Sequence, residues 1–228
     1  MRSIFLTLAG ALLAVSGCSR ARNPMAVRVP ADLVASYTVT FNSTWSAATH
    51  PLDFPTSAHF SGLIGATHDD RIEFWREGGL ASPGIQAMAE LGSKSPLTDA
   101  IAAGMASGAV QYQLSGDGIR PSPGAVALDF QISNTHSLVT LVSMIAPSPD
   151  WFVGVAGLPL MRNGRWVDSL TVTLYGWDAG TDDGMIYTAA NAPANPHVPI
   201  APLIDGPFNV GGTVPSLGTF TFVRRSPR

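Results

Sequence analysis

From Tyr37 to Phe222, apolar side chains return at every second position in one segment after another, and this period constrains the fold more than any other feature. Tyr37, Val39 and Phe41 alternate with Thr38, Thr40 and Asn42. The same pattern recurs in Val110, Tyr112 and Leu114, in Val126, Leu128, Phe130 and Ile132, in Leu170, Val172 and Leu174, and in Phe220 and Phe222. Successive strand side chains point to opposite faces, so alternation sets one face on a core and the other in water. The run Ser137 to Ile145, "SLVTLVSMI", is apolar nearly throughout, which predicts a central strand covered on both faces. Many such strands predict a mainly β protein, an antiparallel β-sandwich.

Two helices are expected inside one insertion between early strands. Ser82-Pro83 and Ser95-Pro96 each offer a serine N-cap followed by proline at the first helical position. Ile85, Met88 and Ala89 give the first an apolar stripe; Leu97, Ile101 and Met105 give the second one. Gly92 and Gly108 stand where the helices should end. The proline-rich stretch from Thr188 to Pro215 lacks a period and reads as a long loop before the last strand.

The N-terminus carries a different signal. Arg2 precedes an uncharged, mostly apolar run from Ser3 to Val15, a secretory signal too short to span a bilayer. It ends in "VSGCS", Val15 to Ser19, which resembles the bacterial lipobox; the plainer alternative is an ordinary signal peptide with a chance cysteine. In proteins with that motif the cysteine is diacylglycerated and the signal is cut before it. Each buried methylene contributes about 0.8 kcal/mol, so two or three chains anchor stably. Cys18 is the sole cysteine, so no disulfide can form within the chain. The division expected is residues 1–17 as signal peptide, 18–32 as lipidated terminus and tether, and 33–228 as one domain. The location implied is the cell envelope, with Ser19 after the cysteine favouring an outer membrane. Lys and Arg number 13 against 16 Asp and Glu, with no basic cluster, which argues against a nucleic-acid partner.

In a chain with so few charges, "WDAGTDDG", Trp177 to Gly184, concentrates three aspartates. An EF-hand is excluded: counting from Asp178, Asp183 stands where glycine is required and Ala189 where the closing glutamate belongs. Zinc lacks cysteine ligands, and His50, His59, His68, His136 and His197 are scattered. A hard cation such as Ca2+ takes several oxygen ligands, and Asp178 with Asp182 in a glycine-bearing loop supplies some of them. Asp150 in "APSPDWFVGV" is the best third carboxylate, lying just before one short strand as Asp178 lies just after another. If those strands are neighbours, the loops meet at one end of the sandwich. The plainer alternative is that these aspartates only cap local backbone groups in a turn.

Two strings, "SMIAPSPDWFVGV" (Ser143 to Val155) and "LYGWDAGTDDG" (Leu174 to Gly184), resemble the spondin domain family, as does "HFSGLIGATHDDRIEFWREGGLASPGIQAMAELGS" (His59 to Ser93). The resemblance runs in order from about Tyr37 to Tyr187. It implies a C2-like sandwich of about eight strands carrying one bound calcium, with carboxylate ligands at the positions of Asp150, Asp178 and Asp182, and with Asp183 left to solvent. This chain departs from animal members in having no cysteine after Cys18. "LMRNGRW", Leu160 to Trp166, lies where the family often has cysteines.

The leading functional expectation is a calcium-binding, lipid-anchored binding or adhesion module with an unknown protein or glycan ligand and no enzymatic activity. The alternatives are a metal-dependent hydrolase using the Asp cluster and a purely structural envelope protein. Against the hydrolase stands the absence of G-x-S-x-G, H-E-x-x-H and Gly-rich phosphate-loop motifs. A concave pocket with a perturbed titratable group at the metal would favour an enzyme; a flat rim would favour binding. Phe74, Trp75, Trp151, Phe152 and Trp177 read as core anchors rather than a ligand-stacking platform.

Overall fold

The computed structural model describes residues 33–225; the signal segment, Cys18 and the tether lie outside the described residues. The elements in chain order are β1 (Val34–Ser43), β2 (His59–Phe60), β3 (Ile64–His68), α1 (Pro83–Leu91), α2 (Leu97–Ala106), β4 (Val110–Ser115), β5 (Gly124–Ser133), β6 (Leu138–Ala146), β7 (Trp151–Pro159), β8 (Met161–Arg162), β9 (Arg165–Trp166), β10 (Ser169–Leu174), β11 (Trp177–Asp178), β12 (Ala201–Pro202), a 3-10 turn (Gly206–Phe208) and β13 (Gly218–Arg225). Eight of these strands have five residues or more, the number the resemblance implies.

Two antiparallel sheets face each other. One runs β10-β13-β1-β5; the other runs β12-β11-β7-β6-β3-β4, with β2 added on β6. Their alternating inner faces make the main core, where Val39 lies opposite Phe222, and Phe41 opposite Phe220 with ring centroids 5.1 Å apart. The central position of β6 explains its nearly continuous apolar run. Val139, Leu141 and Ile145 face the main core, while Val142, Met144 and Ala146 face a second core under the helices. Each large side chain so buried contributes about 1.5–3 kcal/mol, which makes a polar face on β6 untenable.

The helices pack on the outer face of the seven-stranded sheet, between β3 and β4. At α1 the expectation holds: Ser82 Oγ accepts the Ile85 N–H at 3.3 Å and Gly92 closes the far end. At α2 it fails in two respects. Pro96 itself occupies the cap position and Ser95 is not the cap. The buried stripe is Leu97, Ile101 and Gly104, while Met105 is 46% exposed. A Cβ at Gly104 would come within 2.6 Å of Val110 Cγ2, so β4 lies against that position and turns Met105 outward. The helix ends at Ala106 with Ser107 as its cap, one residue ahead of Gly108.

The cysteine-free segment Leu160–Trp166 is held by packing. Asn163 (φ 53°) and Gly164 (φ 73°) form the two-residue turn between β8 and β9, a conformation that Asn-Gly adopts at little cost. The flanking Leu160 and Trp166 are both buried in the main core. The Thr188 to Pro215 stretch is mostly irregular, yet it contains β12 and the 3-10 turn and buries Ile200 and Phe208. A period search passes over so short a strand.

Candidate functional site

Strand pairing assembles the aspartates. β10 belongs to the four-stranded sheet, but after Tyr175-Gly176 the chain crosses to the other sheet as β11. There Trp177 pairs with Phe152, and Asp178 with Trp151, the first residue of β7. Asp150 immediately precedes β7, so the Asp178–Gly184 loop folds over it, and the Ala179 N–H donates to the Asp150 carbonyl at 3.1 Å. The two loops do meet at one end of the sandwich. Asp178 itself closes the strand rather than following it.

Gly180 is required by this fold-over. Its φ is +73°, and an added Cβ would lie 2.1 Å from the Val198 carbonyl oxygen. The Val198 N–H donates to the Gly180 carbonyl at 2.9 Å, tying the loop to the later segment.

The three carboxylates differ in what they touch. Asp150 is fully buried. Its Oδ2 accepts from the Thr181 N–H (2.7 Å), the Thr181 hydroxyl (3.2 Å) and the Asp182 N–H (3.1 Å). Its Oδ1 is buried with no partner at all. Burial pushes its pKa up to about 6, the negative charge of Asp178 adds to the rise, and the three donors oppose it. Asp178 is half-buried; Oδ1 accepts the Gly180 N–H at 2.7 Å. Its pKa is raised chiefly by burial, with Asp182 and Asp183 adding, against the Gly180 N–H and the Trp151 indole. The indole N–H favours ionised Asp178 electrostatically but falls short of a full hydrogen bond. Asp182 is 5% exposed; Oδ1 accepts from Gly184 N–H and Oδ2 from Ala192 N–H, both at 2.8 Å. Asp183 is exposed, as expected.

All three therefore cap backbone groups, as the turn reading expects. Among the described residues no three His, Cys, Asp or Glu side chains form a ready-made metal cage. The aspartates instead lie as a chain of repelling neighbours, Asp178 acting on Asp150 and Asp182 on Asp178. The orphaned Asp150 oxygen is the observation that fits a hard cation. An ionised carboxylate oxygen without a donor is costly in a low-dielectric interior unless a positive charge faces it.

Behind the loop stands an aromatic support. Trp151 packs on Tyr187 and Phe208 with centroids 5.3 and 5.0 Å apart, and the Trp45 indole N–H donates to the Tyr187 hydroxyl at 3.3 Å. Trp75 packs on Phe152 at 5.0 Å and on Trp177 at 5.3 Å. Trp151, Phe152, Phe74 and Trp75 are buried, in keeping with core anchors. Sequence reasoning missed Tyr187 and Phe208; for Phe208, a large aromatic inside an aperiodic stretch was the available signal.

Beside Asp178 lies a cleft of about 280 Å3, bounded by the Val198–Phe208 segment. Its titratable lining groups are Asp178 and Asp205, and no His, Ser, Cys, Lys or Tyr lines it. The concavity that would suit an enzyme is present. A perturbed titratable group adjoins it too, since the pKa of Asp178 is raised by burial.

A double-layered antiparallel sandwich with this loop-end carboxylate chain places the protein in a class, and comparison with known sequences makes it specific. The family model Spondin_N matches residues 35–207, and the chain belongs to that family. It is similar to Spondin-2 of Homo sapiens, at 36% identity over 165 residues, covering 71% of this chain and 50% of that protein. It is likewise similar to Spondin-1 of Rattus norvegicus, at 35% identity over 178 residues, covering 74% of this chain and 22% of that protein. The chain thus spans half or less of the length of these relatives.

Proposed function

We propose that the protein is an extracytoplasmic binding module that holds one Ca2+ with Asp150, Asp178 and Asp182 and is anchored to a membrane by lipid on Cys18. The single observation behind the metal is the buried, partnerless Oδ1 of Asp150. Bound calcium supplies the positive charge that lets neighbouring carboxylates ionise together. The chain's own residues do the rest. The Thr181 and Asp182 N–H groups orient Asp150, and Asp182 ties the loop to Ala192. Loops held on a rigid sandwich end are where binding modules present their contacts. Kinship with Spondin-1 and Spondin-2 supports binding over hydrolysis.

Thermal melting tests the metal. An ion that binds only the native state stabilises by about 2.7 kcal/mol when a hundredfold above its Kd, which for a domain of this size raises Tm by roughly 5–10 °C. Calcium should raise Tm, chelator should lower it, and magnesium should do less because it demands octahedral geometry. A Tm indifferent to both calcium and chelator refutes the site. For the anchor, Cys18→Ser should abolish labelling by a palmitate analogue and free the protein from membranes without detergent; persistent labelling refutes it.

A further inference from the structure

The stretch of chain that carries the Asp178 loop and the cleft wall is one-sided in charge. From Val167 to Val223 the sequence holds five aspartates and no lysine, arginine or glutamate. The cleft beside Asp178 gathers this asymmetry into a concave shape. Its apolar wall includes Met185, Val198 and Ile204, which are 72%, 51% and 56% exposed. Three large exposed apolar side chains around one concavity are more than the scattered surface hydrophobicity of ordinary proteins. Its charged groups are both acids. Asp205 precedes the 3-10 turn without capping it, and no ion pair or side-chain hydrogen bond engages its carboxylate among the described residues. Trp151, 2% exposed, forms the floor of the cleft, with its indole N–H turned toward Asp178.

A volume of about 280 Å3 lies at the small end of ligand pockets and suits one long side chain. The walls call for an apolar stem and the rim for a positive charge. We propose that the cleft receives a lysine or arginine side chain from an extended segment of a partner protein. The methylene stem lies on Met185, Val198 and Ile204, as cationic side chains lie along apolar surface. The charge meets Asp205 and Asp178. With Asp178 partly committed to calcium, Asp205 carries most of the ionic contact. The inference deepens the binding-module reading and rests on it, but Asp205 lies outside the calcium set, so the two fail separately.

The test is a titration of full-length protein carrying 13C-methyl methionine and isoleucine, observed by NMR. The probes are Nα-acetyl-lysine N-methylamide and its arginine counterpart; the controls are the norleucine and glutamate amides. The Met185 and Ile204 methyls should shift saturably with lysine and arginine, with affinity for norleucine roughly fivefold weaker and weakening further for glutamate. Added salt should reduce the lysine affinity toward that of norleucine. Asp205→Asn should do the same while leaving the calcium-dependent Tm shift intact. Because the Asp205 side chain caps nothing, the variant folds, and unchanged methyl signals away from the cleft verify that. Absence of saturable shifts, equal binding of norleucine and lysine, or indifference to Asp205→Asn overturns the proposal. Lysine binding without any calcium response removes the metal site and upholds the cleft.

Discussion

Asp69 and Asp150 are the same residue at strand ends of the same sheet, and their circumstances are opposite. Asp69, just after β3, finds its cation two residues on: Oδ2 accepts from Arg71 Nε at 2.8 Å and from Nη2 at 2.6 Å, while Oδ1 takes the Arg71 backbone N–H at 2.9 Å. Those guanidinium hydrogen bonds hold its pKa below the usual carboxylate range. Asp150, just before β7, is fully buried, receives only neutral donors on one oxygen and none on the other, and its pKa is pushed up to about 6. A carboxylate paired with a cation from its own chain is complete as it stands. One that is buried with neutral donors alone still calls for a positive charge from outside, which is the ground on which the calcium site is proposed.

The largest expected effect breaks Asp150. Asp150→Ala leaves the Thr181 and Asp182 N–H groups without their acceptor, a loss on the order of 3–5 kcal/mol in calcium buffer by urea unfolding. Asp150→Asn sharpens the cause, because it keeps an acceptor and removes the charge. In chelator at neutral pH it should melt above the wild type, and its calcium response should vanish. If it melts below the wild type in chelator, charge is not the problem at Asp150.

Next in size is the pH dependence. Asp150 binds its proton more tightly folded than unfolded, so it is least costly below 3.8, and stability drains away as pH rises through about 6. In chelator the loss should reach on the order of 3 kcal/mol by neutral pH, and calcium or Asp150→Asn should flatten it. Asp69 runs the other way. Its depressed pKa gives stability that is present above the unfolded value and lost as pH falls below it. The two residues divide the acid limb between them, and a calcium-free profile without a decline above 3.8 contradicts the burial argument.

The smallest effects are expected at Asp69, whose charge already has its guanidinium, and at exposed Asp183. Asp69→Asn should shift Tm far less than Asp150→Ala and leave the calcium response whole, as should Asp183→Asn, whose side chain faces water. By contrast Asp178→Asn should flatten the calcium response. A calcium response that survives Asp178→Asn but not Asp183→Asn would reverse the assignment.

What the sequence determined by itself was local and periodic. Alternation in β1, β5, β10 and β13 marked one inner face, and the nearly continuous apolar run marked β6, because burial on one or both faces is written into every second residue. The Ser82 cap was legible for the same reason, since a cap is an exchange of hydrogen bonds between residues three apart. Charge concentration picked out Asp178 and Asp182, and the neighbouring loop suggested Asp150.

Only the tertiary structure decided the rest. That Met105 faces out and Gly104 in depends on β4 lying against the helix. That Asp178 stands beside Trp151 depends on the chain leaving one sheet for the other at Tyr175-Gly176, a crossing no period encodes. The burial of one Asp150 oxygen without a partner depends on a loop 28 to 34 residues downstream folding over it. The acidic cleft needs the aperiodic Val198–Phe208 segment to lie along β11, where Pro202 pairs with Trp177. Periodicity and capping are properties of neighbours along the chain. Desolvation and cavity shape belong to groups that meet only after the sheets have formed.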